Sequence, residues 1–343
     1  MSESTISERA SHYDAPLSPK KLSFEFRGKG FEYFKLWVVN ALLSVMTLGI
    51  YSAWATVRNN RYLYANLYLN DSHFRYLANP IQILKGRIIA VTLLVIYNIV
   101  LLTMPIIGLV LAVFLIFSIP YFINKSMAFN RRMTSYKNIQ FRFNASYKQA
   151  FMVTLIWPLL GILTLGLLYP KALKEIYAYT ANNSAYGKSK FHFCASTWDY
   201  GKPALFAAAI VLSLGLSVWG ISEIWPSLQF IAPIIFVLTY FTLIVFFIVT
   251  VNNIFYQNLQ LQKHHFTSNY TMAGLFKVIL INTLLTLITL GFYLPAAKIR
   301  LLKYLAENVT LNVHGSLENF SAATPEDVSA LGEEMGQSFE FGV

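Results

Sequence analysis

Uncharged runs constrain the fold of this chain more than any other feature of its sequence. A membrane-spanning helix needs about 20 consecutive, mostly apolar residues. Residues 36–57, 149–170 and 278–297 contain no charged side chain, and each run is long enough for one crossing. Residues 88–124 are uncharged over 37 positions and residues 203–262 contain a single acid, so each predicts a pair of helices. The sequence therefore predicts a polytopic membrane protein.

The composition excludes most other classes. Hydrophobic residues make up 56% of the 343 residues and charged residues only 13%, against about 45–50% and 25% in soluble domains. These values exclude disordered and collagen-like chains, and the single cysteine, Cys194, excludes a disulfide scaffold. The first 23 residues are polar and no cleavage pattern follows, so we expect no secretory signal.

The basic residues indicate an orientation. Segment 125–148 has six basic residues and no acid, and segments 58–87 and 171–202 have five basic residues each. The expected hairpin turns near Pro105 and Pro226 contain neither Lys nor Arg. Because Lys and Arg collect in cytoplasmic loops, we expect the basic segments to face the cytoplasm and the two turns to face outward.

A Thr-Leu-Gly motif occurs three times, with its glycines 117 and 125 residues apart. Small residues allow close helix packing in lipid, and threonine can hydrogen-bond back to its own helix. Repeats in membrane proteins often place a transport pathway at their interface. The alternative is that these polar groups only hydrogen-bond between helices. The candidate pathway residues are Asn40, Thr47, Gly49, Thr164, Gly166, Asn282, Thr289 and Gly291.

A second repeated signature consists of an aromatic, a polar and an aromatic residue. Alternation of this kind, flanked by Asn, Gly and Ser, is typical of short strands. Weaker copies begin at Phe266 and Phe320, and successive spacings are 50, 67, 50, 75 and 54 residues. The clear copies are Phe24-Glu25-Phe26, Phe74-Arg75-Tyr76, Phe141-Arg142-Phe143 and Phe191-His192-Phe193.

Together these features predict an all-α polytopic membrane protein with internal repeats and short β-strands at the cytoplasmic interface. The Thr-Leu-Gly helices, broken or re-entrant, would alternate with transmembrane hairpins. If they crossed the membrane fully, segment 171–202 would lie outside; if they re-enter, every basic segment is cytoplasmic. The expected divisions are a polar tail (1–23), repeat 1 (24–137), repeat 2 (138–262), a partial repeat 3 (263–317) and an acidic tail (318–343).

These motifs resemble those of the YjgN family of bacterial inner-membrane proteins, a domain of unknown function. The resemblance rests on residues 24–30, Asn40, the run 47–51, the run 61–66 and the triplet at 74–76, and it covers roughly residues 22–315. The second repeat departs from the others, since Trp157 stands where they have asparagine. The resemblance implies a location in the inner membrane and an architecture, but it carries no activity.

Sequence motifs for chemistry are absent. There is no His-Glu-x-x-His, Gly-x-Ser-x-Gly, Walker or dinucleotide-binding motif, so we expect no enzyme, no catalytic residues and no cofactor. His264-His265 is the only histidine pair, and with acids scarce we expect it to be solvated rather than metal-bound. Gly28-Lys29-Gly30 is interpreted as a turn rather than a phosphate cradle.

Two functions follow as hypotheses. The first is a transporter or channel for a small solute or lipid, suggested by the threefold motif. The second is a non-transporting protein that binds anionic lipids or acts as a scaffold, suggested by a net charge of +17 over residues 24–317. The expected partners are membrane lipids, anionic ones above all, and not nucleic acid. The candidate headgroup ligands, which could equally be ordinary positive-inside anchors, are Lys85, Arg87, Arg131 and Arg132.

Overall fold

Ten short strands form a closed antiparallel barrel in the computed structural model, which describes residues 20–224 and 230–314. They are β1 (Lys20–Phe26), β2 (Leu67–Leu69), β3 (Ser72–Tyr76), β4 (Thr134–Tyr136), β5 (Ile139–Phe143), β6 (Ser184–Tyr186), β7 (Ser189–Phe193), β8 (Leu259–Leu261), β9 (His264–Ser268) and β10 (Val309–Val313). Every strand pairs with its neighbours in the chain, and β10 closes the barrel against β1 with Val313 opposite Lys20.

The prediction of an all-α fold is therefore wrong. Strands do form at the predicted triplets, but they pair with other strands in one closed barrel and are not separate elements at the interface. Each strand has only three to seven residues, and strands this short are stable only when several pair around a shared core. Closure of the sheet supplies those partners and leaves no unpaired edge.

Helices occupy alternate connections of the barrel, and two-residue turns occupy the others. At the first turn, Asn70 and Asp71 have φ of 47° and 60°, the left-handed pair that a two-residue hairpin favours. The helices are α1 (Gly30–Met46), α2 (Ser52–Ala65), α3 (Pro80–Thr103), α4 (Pro105–Arg132), α5 (Tyr147–Leu163), α6 (Tyr169–Asn182), α7 (Thr197–Ile224), α8 (Ala232–Gln257), α9 (Met272–Ile288) and α10 (Leu294–Glu307).

The topology places all ten helices at one end of the barrel. Adjacent strands run antiparallel, so the strand before each helical pair ends where the strand after it begins. Each pair is consequently a hairpin that leaves and returns to the same end. Neighbouring hairpins pack side by side, and α10 packs against α1, so the helices follow the closure of the barrel. A single full crossing by any Thr-Leu-Gly segment is incompatible with this path.

Two of the hairpins are long and three are short. Helices α3, α4, α7 and α8 are each long and apolar enough to cross a membrane. Only 6–17% of the residues in their most apolar windows are buried, so their side chains face the surroundings of the protein. By contrast, α1 has 17 residues and α2 has 14, which corresponds to about 26 Å and 21 Å. These lengths fall short of a hydrocarbon core about 30 Å thick.

A chain of phenylalanine rings fills the barrel. The first aromatic residue of each triplet faces inward from every second strand, and the ring centroids of consecutive triplets lie 6.2–6.4 Å apart from Phe24 to Phe266. The polar residues between the aromatics lie on the outer wall, where Glu25, Arg75 and His192 are exposed and Arg142 is half-buried. The rings that form this phenylalanine layer are Phe24, Phe74, Phe141, Phe191 and Phe266.

Two tyrosines complete the barrel core with hydrogen bonds. The Tyr136 hydroxyl donates to the carbonyl of Leu69 at 2.6 Å, and the Tyr186 hydroxyl donates to the carbonyl of Tyr136 at 2.9 Å. Burial raises the pKa of both phenols, which therefore stay protonated as donors. The core is a packed mixture of rings and satisfied polar groups, in which Phe74 and Phe266 are buried and the other three rings of the phenylalanine layer are half-buried.

The barrel takes strands from all three predicted repeat segments, 24–137, 138–262 and 263–317. The division into these segments stays a prediction. Of the predicted N-terminal tail, only residues 20–23 are described, and they begin β1. The rest of that tail, the turn near Pro226 and the acidic tail 318–343 lie outside the described residues.

We expect the phenylalanine layer to carry a large share of the stability of the barrel. Phe74 is buried and its ring lies 6.2–6.3 Å from those of Phe24 and Phe141. Replacing a buried phenylalanine by alanine typically costs about 3–5 kcal/mol, so Phe74→Ala should clearly lower the thermal midpoint of the purified protein in detergent. His73→Ala, on the exposed face of the same strand, is the control and should change it little. Equal effects would contradict the inward orientation.

Candidate functional site

The three Thr-Leu-Gly segments share one backbone conformation, a turn between two antiparallel helices. In each turn the leucine and the glycine both have positive φ. The glycine amide donates to the carbonyl five residues earlier at 2.7–2.8 Å, which is the Schellman arrangement that ends a helix. The φ values are 49° and 89° at Leu48 and Gly49, 51° and 92° at Leu165 and Gly166, and 49° and 93° at Leu290 and Gly291.

The glycines serve this turn and not close helix packing, which corrects the packing role expected from the sequence. A Cβ atom added at Gly49 or Gly166 would meet no heavy atom within 4 Å, and one at Gly291 would meet only Leu294 at 3.9 Å. A φ near +90° is what requires glycine at these positions. The glycine of the Thr-Leu-Gly motif therefore indicates a backbone with positive φ at that position.

The threonine hydroxyls are occupied within the same turns. The Thr164 hydroxyl donates to the carbonyl of Leu160 at 2.7 Å and accepts the amide of Leu168 at 3.1 Å. Thr47 and Thr289 make the equivalent two bonds. Each hydroxyl thus links the end of one helix to the start of the next. It is not directed into a shared pathway.

The tips of the three short hairpins are apolar and project from the protein. Leu48, Leu165 and Leu290 are 95%, 97% and 89% exposed. Because the three leucines are exposed to this extent, the tips do not pack against one another. Exposed apolar area costs about 25 cal/mol per Å² in water. The tips point to the same side as the four long helices, so they are suited to contact with lipid.

Asn40 lies below the first tip in a polar link between α1 and α2. It is 2% exposed, and its amide donates to the side-chain oxygen of Asn59 at 2.9 Å. The Arg58 guanidinium donates to the Asn40 oxygen at 3.3 Å and to the Tyr51 hydroxyl at 2.9 Å. These bonds satisfy a buried amide that would otherwise be costly.

Asn282 forms the matching link in the third short hairpin. Its amide donates to the carbonyl of Ala297 at 3.0 Å, and Arg300 donates to its oxygen at 3.4 Å. The two arginines were not predicted as functional residues. A sequence signal existed, however, because the asparagine and the arginine stand nine residues before and nine residues after the glycine in both hairpins.

The predicted headgroup ligands lie in the barrel-side turns of the first long hairpin. Lys85 is exposed and Arg132 is half-buried. The Arg87 guanidinium donates to the hydroxyl of Ser52 and, at 2.9 Å, to that of Thr56, so it joins α3 to α2. The Arg131 guanidinium lies near the phenols of Tyr64 on α2 and Tyr256 on α8, which places it inside the ring of helices, and no described residue forms an ion pair or hydrogen bond with it.

The histidine pair lies at the far end of the barrel from the helices. His264 is buried, and its Nδ1 accepts the backbone amide of His314 at 3.2 Å. Burial lowers the pKa of His264, with His314 and His265 as further causes, so the ring accepts this bond in its neutral form. Among the residues with described positions, no group of three or more potential ligands is arranged to hold a metal ion.

The turn geometry leads to a stability prediction. Gly166→Ala puts a side chain at φ +92°, where L-residues pay about 1–2 kcal/mol, and should lower the thermal midpoint of unfolding. Gly215→Ala is the control, because Gly215 lies inside α7 with open space around it and alanine favours a helix there. A midpoint unchanged by Gly166→Ala would contradict the conformational role of the glycine.

Comparison with known proteins gives relatives without an assigned activity. The chain is 34% identical over 167 residues to the inner membrane protein YjgN of Escherichia coli O157:H7, which covers 47% of this chain and 41% of that protein. It is 28% identical over 363 aligned positions to the inner membrane protein YjgN of Salmonella typhimurium strain LT2, covering 88% and 90%. The match to the E. coli protein thus spans about two fifths of that relative's length. No solved structure matches the chain.

The family comparison covers most of the chain. A family model described as a bacterial protein of unknown function, DUF898, matches residues 21–338. The resemblance to YjgN proteins is confirmed, and with its four apolar helices the chain is a multi-pass protein of the bacterial inner membrane. The chain belongs to the DUF898 family of bacterial membrane proteins of unknown function.

Proposed function

We propose that this protein is a non-enzymatic, non-transporting membrane protein that binds anionic lipids in the leaflet next to its barrel. The observation that carries the proposal is the apolar surface of the four long helices, whose most apolar windows have only 6–17% of their residues buried. A protein with such a surface, together with the net charge of +17 over residues 24–317, offers an outer face to both the acyl chains and the anionic headgroups of lipids.

The helical side of the molecule supports contact with acyl chains. Leu102 and Ile106, near the turn of the first long hairpin, are 83% and 80% exposed. Patches of this kind mark interaction surfaces. The apolar tips at Leu48, Leu165 and Leu290 extend the same surface over the short hairpins.

The charges on the barrel side support an anionic headgroup. Residues 24–317 carry a net charge of +17, and each basic residue near an anionic surface contributes about 1 kcal/mol of attraction. By the positive-inside rule the barrel then faces the cytoplasm. Lys85 is the strongest candidate contact, since it is exposed near the start of α3, at the barrel side of the first long hairpin.

The alternative, a transporter or channel, has less support. A pathway would need polar groups directed into a shared space, and the threonine hydroxyls of the three turns are bonded within those turns. Asn40 and Asn282 are likewise bonded to Arg58 and Arg300. These contacts favour the role of interhelical hydrogen bonds over that of a pathway lining.

The proposal predicts a lipid preference. Phosphatidylglycerol added to the purified protein in detergent should raise its thermal midpoint more than phosphatidylcholine does, since a ligand of the folded state stabilises it by mass action. Lys85→Gln should reduce this difference. Arg75→Gln, which removes the same charge from the outer wall of the barrel, is the control and should leave the difference intact.

Equal stabilisation by the two lipids would overturn the lipid preference. Transport is tested separately with the protein reconstituted in vesicles that contain potassium ions and a small anionic dye. We expect release no faster than from protein-free vesicles. Release that depends on the protein would overturn the non-transporting part of the proposal, and its loss in Asn40→Leu would restore the pathway interpretation.

A further inference from the structure

The second short hairpin, α5–α6, differs from the other two in the contacts that hold its helices together. In the first short hairpin, Tyr62 on α2 is bonded to the residue before α1. Its hydroxyl accepts the amide of Lys29 at 2.9 Å and donates to the Lys29 carbonyl at 3.1 Å, and this pair of bonds is called the tyrosine lock below. In the third, Tyr304 makes the same two bonds to Thr271, both at 3.1 Å. Each of these hairpins thus has a tyrosine lock as well as its asparagine–arginine link.

Both of these contacts are missing from the second hairpin. Trp157 and Glu175 stand at the positions that asparagine and arginine hold elsewhere, nine residues before and after Gly166. Tyr179 occupies the lock position, but its hydroxyl is directed to the side chain of Asn124 on α4. Burial raises the pKa of Tyr179 to about 12, so its hydroxyl remains a donor at neutral pH.

The backbone of α5 is also irregular where the link would be. A π-helical turn occupies Met152–Ile156, directly before Trp157. Such turns insert an extra residue into a helix and are frequent at functional sites. The second hairpin thus lacks the asparagine–arginine link, its tyrosine is bonded to α4, and the π-helical turn shifts α5. As a result, α5 and α6 are not held together by the contacts that join the helices of the other two hairpins.

A groove of about 430 Å³ lies between the two helices. This volume is within the range of small-molecule sites, about 300–1,000 Å³. Lys148 and Asn182 line its barrel end, and Met152 and Trp157 line it toward the tip. The groove is therefore polar and basic at its barrel end, and farther along its apolar residues on α5 face Glu175 and Lys171 of α6.

The other charges of the groove are already partnered. The Lys171 ammonium lies 4.7 Å from the centre of the Trp157 ring, a cation–π contact. Glu175 is paired with Lys174 at 3.1 Å. Lys148 is exposed at the barrel end, which makes it the groove cation best placed to receive an anionic group from the leaflet.

We propose that this groove holds one phospholipid molecule, with its phosphate at Lys148 and an acyl chain along Met152 and Trp157. The inference rests on the proposed function and names a discrete site within it. The phosphate would accept charge-assisted hydrogen bonds from Lys148 and the amide of Asn182 at the water-facing end. The chain would cover apolar surface that the asparagine–arginine link closes in the other hairpins.

The site is tested by native mass spectrometry of the full-length protein in detergent with added phosphatidylglycerol. We expect one tightly retained phospholipid per chain, and about tenfold weaker retention in Lys148→Gln, the loss expected for one charge-assisted hydrogen bond. Lys277→Gln is the matched control, since Lys277 is an exposed lysine near the barrel end of α9. Its lipid retention should equal that of the unmodified protein.

A second variant closes the groove without removing Lys148. Trp157→Asn combined with Glu175→Arg restores the residues of the other hairpins, so it should abolish retention while the thermal midpoint is maintained or raised. Retention unchanged in both variants would overturn the site. If glycerol phosphate competed for the groove as strongly as the phospholipid does, the ligand of the groove would be a small phosphate compound and not a lipid.

The outcomes separate this site from the general function. Loss of the retained lipid in the groove variants, with the phosphatidylglycerol preference of the thermal midpoint intact, supports both proposals. A retained lipid that depends on the groove, without any headgroup preference in the thermal midpoint, supports the site and overturns the general function. A headgroup preference without a retained lipid overturns the site alone.

Discussion

Closure of the barrel between β1 and β10 is the constraint on which the rest of the structure depends. Once all ten strands run antiparallel to their neighbours, each helical insertion must return to the end of the barrel from which it left. This excludes any odd number of crossings within an insertion. The four long helices are thereby paired into two hairpins, and the three Thr-Leu-Gly segments become turns. The phenylalanine layer stabilises the closed barrel. Its rings fill the interior, and strands of three to seven residues are stable only when they share such a packed core.

The local elements could be predicted from sequence, whereas their assembly could not. Uncharged runs such as 88–124 indicate the long hairpins, and triplets such as that at Phe74 indicate strands. The pairing of β1 with β10, however, joins residues almost 300 positions apart, and no turn sequence specifies it. Strands as short as Leu67–Leu69 carry too little alternation to be recognised. The sequence therefore indicates strands without indicating that they close into one barrel.

The residues of the candidate site are likewise only partly predictable from the sequence. Asn40 and Asn282 stand out in sequence as polar residues in apolar runs, but a single sequence does not reveal that Arg58 and Arg300 satisfy them. That partnership arises only when the turn brings the two helices of a hairpin side by side. The glycines illustrate a different difficulty. The repeated Thr-Leu-Gly motif is equally compatible with close packing and with a left-handed turn, and only the φ of about +90° decides between them.

The three short hairpins also show how one backbone frame accommodates different contacts between its two helices. The turn and its threonine hydrogen bonds are the same in all three hairpins. The turn therefore fixes the adjoining helix ends even where the contacts farther along the two helices differ. A substitution at Trp157 or Glu175 can then open the space between α5 and α6 without unfolding the hairpin. Hairpins one and three also pack against each other through α10 and α1. The second hairpin instead packs against both long hairpins, through α4 on one side and α7 on the other.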